Sequence, residues 1–347
     1  MRYRPLGASG LLVSEIALGA ATFGEIADAE QAHAIVGAAL DAGVNFFDTA
    51  DVYCGGRSEE ILGRTLRPHR DRVVISTKGG ARVGDSEVDL AASHRVGGLD
   101  HWERWQRGIA PTDQGLSRRH LVDALDASLR RLGTDYLDVY TLHRFDPTTS
   151  IENVLDTLQS FVTAGKVRTV ACSGWAAWRL TKANCIAGVR GTVRLEATQL
   201  PYNLLHRVHE AELIPACADQ SVAVLVFQAL AGGMLTGRYA DGATPDSRSR
   251  MGSRATYRAR YLTSEVRARV NAVARYAEQV GRSATELAVG WLLAQPTVTS
   301  VLFGASRVEQ LGDASRTVAA PLTHDELAAL EAALADVSDP ETTGGSR

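Results

Sequence analysis

The chain has 347 residues, 45% of them hydrophobic and 22% charged, with a formal net charge of −3. A chain of this length can bury a large core, and its near-neutral balance leaves no electrostatic footprint for nucleic acid or an anionic membrane. No apolar run approaches the roughly 20 residues that span a bilayer, and the opening MRYRPLGASG lacks the apolar stretch of a signal peptide. The four cysteines, Cys54, Cys172, Cys185 and Cys217, show neither CxxC nor paired spacing. They read as reduced thiols of a cytoplasmic enzyme rather than a disulfide frame or a metal site.

Residues 1–15 read as a short hairpin that turns at Gly7-Ala-Ser-Gly10. Short β-branched runs then alternate with amphipathic stretches. The strands are predicted at Ile16–Gly19, Asn45–Asp48, Val73–Thr77, Tyr136–Tyr140, Val167–Ser173, Ala197–Leu200, Val222–Phe227 and Val298–Phe303. The helices are predicted at Ala29–Ala42, Ser58–Leu66, Arg118–Leu132, Ile151–Ala164, Ala176–Ala187, Glu210–Ala218, Ala284–Ala294 and Val308–Ala314. Eight strands, each followed by a helix, predict an α/β fold of the (β/α)8 TIM-barrel type, a single domain over residues 1–347. A doubly wound sheet competes with it, but no GxGxxG follows an early strand. Ser58, followed by Glu59 and Glu60, reads as a helix N-cap. Gly43, Gly133 and Gly165 stand where a left-handed residue ends a helix.

Two segments break the alternation: residues 79–116 and 228–262, long loops after strands 3 and 7 of the barrel. Loops after strands lie on the catalytic face of such a barrel. The arginines at 248–260 (Arg248, Arg250, Arg254, Arg258, Arg260) read as a solvated face, and the polar residues 339–347 as a flexible tail.

Several polar groups stand at predicted strand ends. Asp48 ends the second strand, Tyr53 lies in the loop after it, Lys78 follows the third, and His143 comes just after the fourth. Their chemistries are complementary. Reducing a carbonyl by hydride leaves an alkoxide that needs a proton, and a tyrosine with a pKa of about 10 donates poorly. A nearby ammonium favours the phenolate, so Lys78 would make Tyr53 a better acid, with Asp48 holding Lys78 charged. His143 would hydrogen-bond the carbonyl oxygen or relay the proton.

The run Gly43-Val-Asn-Phe-Phe-Asp48-Thr-Ala-Asp-Val-Tyr53-Cys-Gly-Gly-Arg-Ser58-Glu-Glu-Ile-Leu-Gly63 resembles the signature of the aldo-keto reductase family. So do Ser76-Thr-Lys78-Gly, Ser128-Leu-Arg-Arg-Leu-Gly-Thr-Asp-Tyr-Leu-Asp138, Leu142-His143, Ala164-Gly-Lys-Val-Arg168 and Gln199-Leu-Pro-Tyr-Asn203. The resemblance runs from about Leu6 to about Leu311. It implies a catalytic tetrad of Asp48, Tyr53, Lys78 and His143, with Tyr53 as the acid–base residue. It also implies that Ser173 and Gln199 hold the nicotinamide carboxamide and that Phe227 stacks on the ring. Leu230, Gly233 and Arg238 would cover the pyrophosphate, and Gly304, Ser306, Arg307, Gln310 and Asp313 would bind the adenosine end. A guanidinium at Arg307 would grip a 2′-phosphate, which favours NADP(H) over NAD(H).

The sequence departs from the family's pattern at four places. Gly174 stands for a usual Asn after Ser173, Ala314 for an Asn near the adenine, Gln228-Ala-Leu230 for Ser-Pro-Leu, and Cys54 for a common Gly. The insertion at 79–116 carries His94, His101, Trp102 and Trp105, without metal-ligand spacing. Trp102 and Trp105 either wall the substrate or pack on the barrel rim; Trp175 is expected to line the pocket and Trp178 to pack. The expected activity is reduction of a small-molecule aldehyde or ketone, such as a keto-sugar or natural-product intermediate. The alternatives are a nucleotide-sensing regulatory subunit, like the potassium-channel-associated relatives, and an isomerase or dehydratase working through transient oxidation. Monomer and homo-oligomer both stay open.

Overall fold

The computed structural model describes residues 1–81, 112–239, 250–253 and 255–335. Ten strands occur among them. β1 (Tyr3–Pro5) and β2 (Leu12–Ser14) form an antiparallel hairpin. The other eight are β3 (Ile16–Gly19), β4 (Phe46–Asp48), β5 (Val74–Gly79), β6 (Leu137–Leu142), β7 (Val167–Ser173), β8 (Leu195–Pro201), β9 (Ala223–Phe227) and β10 (Val298–Gly304). They close into a parallel barrel in sequence order, with β10 pairing back onto β3. The predicted (β/α)8 barrel and its N-terminal hairpin are both present.

The parity of each strand decides what it can build. Successive side chains point to opposite faces, so Phe46 enters the barrel while Phe47 faces the helices. The interior is filled by Phe46, Val74, Val139, Ala171, Ala197 and Leu225, with Leu6 and Val13 of the hairpin region reaching the same cluster. The outward set packs against α1 (Ala29–Asp41), α2 (Arg57–Leu66), α3 (Arg118–Leu132), α4 (Ile151–Thr163), α5 (Ala177–Arg190) and α6 (Leu213–Asp219). Each fully buried Leu, Ile or Phe in these layers contributes on the order of 1.5–3 kcal/mol.

Helix ends follow local chemistry. Asp28 forms a capping box with Gln31 at the start of α1. Gly43, Gly133 and Gly165 all take the left-handed conformation at helix ends, as expected. The reading of Ser58 as an N-cap needs correcting. The helix begins at Arg57, preceded by left-handed Gly56. Ser58 is buried, donating to the Ala20 carbonyl at 2.7 Å and sharing a hydrogen bond with Thr49 at 2.8 Å. It ties α2 to the strand ends instead of capping a helix.

The segment between β9 and β10 holds more helix than one βα unit provides. Short helices at Arg250–Ser253 and Ala255–Tyr261 precede α7 (Ser264–Val280) and α8 (Ala284–Ala294). Beyond β10 come α9 (Gln310–Ala319), later than the predicted 308–314, and α10 (His324–Ala335). The predicted helix at 210–218 is a 3₁₀ turn followed by α6. Among the described residues, no helix is long and apolar enough to cross a membrane.

Candidate active site

Strand parity brings the polar residues together. The inward positions nearest the C-terminal ends of β4, β5, β7, β8 and β9 include Asp48, Lys78, Ser173, Gln199 and Phe227, and His143 continues the inward parity of β6. Asp48 lies in register with Ser76, and Ser173 with Gln199. The apolar interior therefore ends in a polar layer at the rim.

Asp48 organises that layer. It is 3% exposed and accepts from Lys78 Nζ at 2.5 Å, Gln199 Nε2 at 2.7 Å and Ser76 Oγ at 3.0 Å. Lys78, 2% exposed, also donates to the Thr49 carbonyl at 2.8 Å and to the Tyr53 hydroxyl at 3.2 Å. Its ammonium sits 4.8 Å from the centre of the Tyr53 ring. Burial pulls the Lys78 pKa down, but the charge of Asp48 and the contact with Tyr53 outweigh it and hold the amine above its ordinary value. The lysine therefore stays charged beside the phenol. His143 stands edge-on to Tyr53 with ring centres 5.9 Å apart, and its backbone N–H donates to the Gly79 carbonyl at 2.9 Å. Tyr53 begins a one-turn 3₁₀ segment, and Cys54, where the family has a common Gly, adopts φ 52°. A non-glycine residue there costs roughly 1–2 kcal/mol.

Behind this loop lies a second polar group. Asp51 is fully buried and its backbone N–H donates to the Lys78 carbonyl at 3.1 Å. Burial, and then the charge of Glu59, raise its pKa well above the usual carboxylate range. Glu59, also fully buried, accepts from Thr77 and from Arg131, each at 2.6 Å. The pattern of strand ends in the sequence does not single out Ser76, Thr49, Asp51 or Glu59 for this site. Ser76 was within reach of parity, since it stands two residues before Lys78 on the same strand.

The cofactor-candidate residues lie around the same rim. Ser173 and Gln199 are adjacent and buried, and Phe227 is half-buried at the end of β9. After β10, the backbone N–H groups of Ser306 and Arg307 both donate to Gln310 Oε1, at 2.8 and 3.2 Å. Two amides converging on one oxygen just before α9 are the arrangement an anionic ligand oxygen would need. Gly304 and Arg307 are exposed, Ala314 is buried, and Asp313 pairs with Arg316. In the loop after β9, Leu230 and Gly233 are partly buried and Arg238 is exposed. Gln228 binds this loop to the following helix, donating to Tyr257 at 2.8 Å and accepting from Tyr261 at 3.1 Å. That gives the departure from Ser a structural role. Gly174 has φ +66°, a conformation that Gly adopts without strain and Asn tolerates, so the backbone needs nothing else there.

Trp175 is 3% exposed and meets Phe145 edge-on at 5.2 Å, beside the His143 turn. Arg179 lies 3.9 Å from the centre of the other ring of that pair, Phe145. Trp178, expected to pack, is instead 59% exposed, because the start of α5 turns it outward. His94, His101, Trp102 and Trp105 lie outside the described residues, as do residues 339–347.

The family model described as the aldo/keto reductase family matches residues 15–335. A protein from Oryza sativa subsp. japonica named as a probable voltage-gated potassium channel subunit beta is 36% identical over 90% of this chain and 89% of its own length. Versiconal hemiacetal acetate reductase from Aspergillus parasiticus is 33% identical over 95% of this chain and 96% of its own. L-glyceraldehyde 3-phosphate reductase from Escherichia coli (strain K12) is 34% identical over 90% of this chain and 86% of its own.

Proposed function

The chain belongs to the aldo-keto reductase family, whose members are oxidoreductases of carbonyl groups that use a nicotinamide cofactor, and from that premise we propose that it is an NADPH-dependent reductase of a small aldehyde or ketone. The observation that carries this reading is the contact chain Asp48–Lys78–Tyr53, at 2.5 and 3.2 Å. A reduced nicotinamide bound at this rim would supply the hydride. Tyr53 donates the proton to the carbonyl oxygen as negative charge develops there. Lys78 favours its phenolate, and Asp48 and the Thr49 carbonyl fix the ammonium in place. His143 orients the carbonyl oxygen beside the Tyr53 hydroxyl. The low-exposure rim strengthens each of these charge interactions relative to water.

Ser173 and Gln199 would hold the carboxamide, with Gln199 tied at the same time to Asp48. Phe227 would cover the ring, and Leu230, Gly233 and Arg238 would lie over the pyrophosphate. Gly304, Ser306, Arg307, Gln310 and Asp313 would take the adenosine end, with Arg307 exposed and able to pair with a 2′-phosphate. Trp175, braced by Phe145, would wall the substrate side, and Trp102 and Trp105 are proposed to do the same. A keto-sugar or natural-product intermediate is the proposed substrate class, in the cytoplasm.

The rice relative is named as a probable channel subunit, which favours a second reading, a regulatory subunit; we propose that such a subunit would sense nucleotide by holding it tightly and turning over slowly. A fluorescence titration with NADPH and NADH, followed by a carbonyl panel of simple aldehydes, keto-sugars and bulky ketones, separates the two. The reductase reading expects tighter binding of NADPH and selective turnover. Tight binding without turnover on any carbonyl would favour the sensor, and failure to bind either nucleotide would remove both.

A further inference from the structure

A groove of about 550 Å³ lies between α2 and α3, toward their C-terminal ends. Helices of a (β/α)8 barrel run back from the catalytic rim, so this end faces away from Tyr53 and Lys78. The groove is lined by Arg64, Arg67, Arg130 and Arg131, with Glu60 as its carboxylate. Gly63 forms part of the floor, and a Cβ on it would collide with the Leu132 carbonyl. That close approach of the two helices brings their arginines to one concavity.

The four guanidinium groups are not equivalent. Arg131 is committed: it donates to buried Glu59 at 2.6 Å and to Ser128 at 3.3 Å. Arg64, Arg67 and Arg130 are exposed and make no ion pair or hydrogen bond with any described residue. Arg64 and Arg130 stand in the last turns of α2 and α3, where the helix dipole favours a cation. Arg67 is the C-cap of α2, at the same negative helix end, and begins the short 3₁₀ segment that follows. Like charges converging in one concavity repel, and the near-neutral chain, at −3, has no overall excess of basic residues that would account for the cluster. A dianionic or trianionic oxygen cluster relieves that repulsion, and guanidinium groups match phosphate oxygens bidentately. The volume falls within the roughly 300–1,000 Å³ of small-molecule sites, which favours a small ligand over a macromolecular surface.

We propose that this groove is a second ligand site, separate from the catalytic rim, that binds a small phosphate-bearing anion. Arg64, Arg67 and Arg130 supply the charge, Arg131 is the fixed wall, and Glu60 limits affinity.

Isothermal titration of the full chain with inorganic tripolyphosphate, in excess NADP so that cofactor subsites are filled, tests the site. The wild type is expected to bind one equivalent. The variant Arg64→Ala/Arg67→Ala/Arg130→Ala should bind about tenfold or more weakly, with a melting temperature close to that of the wild type, because the helix-end stabilisation lost is opposed by the repulsion relieved. Glu60→Gln should tighten binding by about twofold to threefold. No binding by the wild type, or an affinity that either variant leaves unchanged, overturns the proposal.

Discussion

Each end of this barrel holds a buried carboxylate paired with cations, and the two pairs are built differently. At the hairpin end, Glu15 is 2% exposed and accepts from Arg2 at 2.7 Å and Arg4 at 2.6 Å. Arg4 also donates to the carbonyls of Val298 and Leu293, so it staples the hairpin onto the barrel. Both arginines keep part of their side chains in water. At the rim, Asp48 and Lys78 are both removed from water. The ammonium there spends one of its donors on a phenol that holds no structural element together. The hairpin pair spends its hydrogen bonds on backbone and so serves stability. The rim pair divides its hydrogen bonds among the Thr49 carbonyl, Gln199, Ser76 and the Tyr53 hydroxyl, which places both desolvated charges beside the group proposed to transfer the proton.

That difference gives variants with opposite signatures. Lys78→Met should have the largest effect. Turnover should fall by roughly 10²–10⁴-fold, the range for losing acid–base assistance. Stability should also fall, by about 3–5 kcal/mol, because Asp48 is left buried without its cation. Steady-state kinetics and a denaturant melt measure the two separately, and a variant that keeps its rate would erase the distinction between the ends.

Glu15→Gln should do the reverse. Stability should drop by about 2 kcal/mol as charged hydrogen bonds to Arg2 and Arg4 are lost, while kcat and KM stay at their wild-type values. Kinetics that changed along with the melting curve would mean that the hairpin end reaches the rim.

The rim pair also predicts an alkaline limit. The folded-state pKa of Lys78 is raised above its unfolded value. Its stabilisation is therefore complete below the ordinary lysine pKa of about 10.4 and is lost as pH climbs through the higher folded value. Melts of the wild type and Lys78→Met should differ steadily from neutral pH up to about pH 10 and converge only above it.

The smallest effect sharpens the comparison from behind the rim. Asp51 is buried beside Glu59 with its pKa raised. The unfolded chain ionises this group more readily than the folded one, so it costs stability once pH exceeds about 4. Asp51→Asn should melt higher than the wild type near pH 7 and equal to it near pH 4. A lower melting temperature at neutral pH would show that the carboxyl itself is needed there.

The barrel was readable in the sequence because strand-length β-branched runs recur with helical periods between them, and closure then follows from their number. Asp48, Tyr53, Lys78 and His143 could be placed because strand ends are fixed by those runs and the family resemblance names the same positions. The rest depended on tertiary context. Ser58 carries the composition of a cap, yet the cap position falls two residues earlier, at Gly56, and the Ala20 carbonyl claims the hydroxyl. Trp178 is as apolar as Trp175, and only the direction of α5 decides which one is buried. The helix Ser264–Val280 has its own Thr263 cap, but alternation allots one helix to each strand and so passes over it. Arg64 and Arg130 are 66 positions apart in the chain, and no local pattern announces that they share a groove.

The central claim is that Tyr53 is the proton donor, and the measurement that tests it most directly is the single-turnover and steady-state rate of Tyr53→Phe alongside NADPH binding. Phenylalanine keeps the ring against Lys78 and leaves the bonds of that lysine to Asp48 and the Thr49 carbonyl intact. A melting temperature slightly below that of wild type, because Lys78 loses one acceptor, is expected together with an NADPH affinity within about twofold of wild type and carbonyl reduction slower by roughly 10²–10⁴-fold. Reduction at the wild-type rate by this variant would contradict the claim.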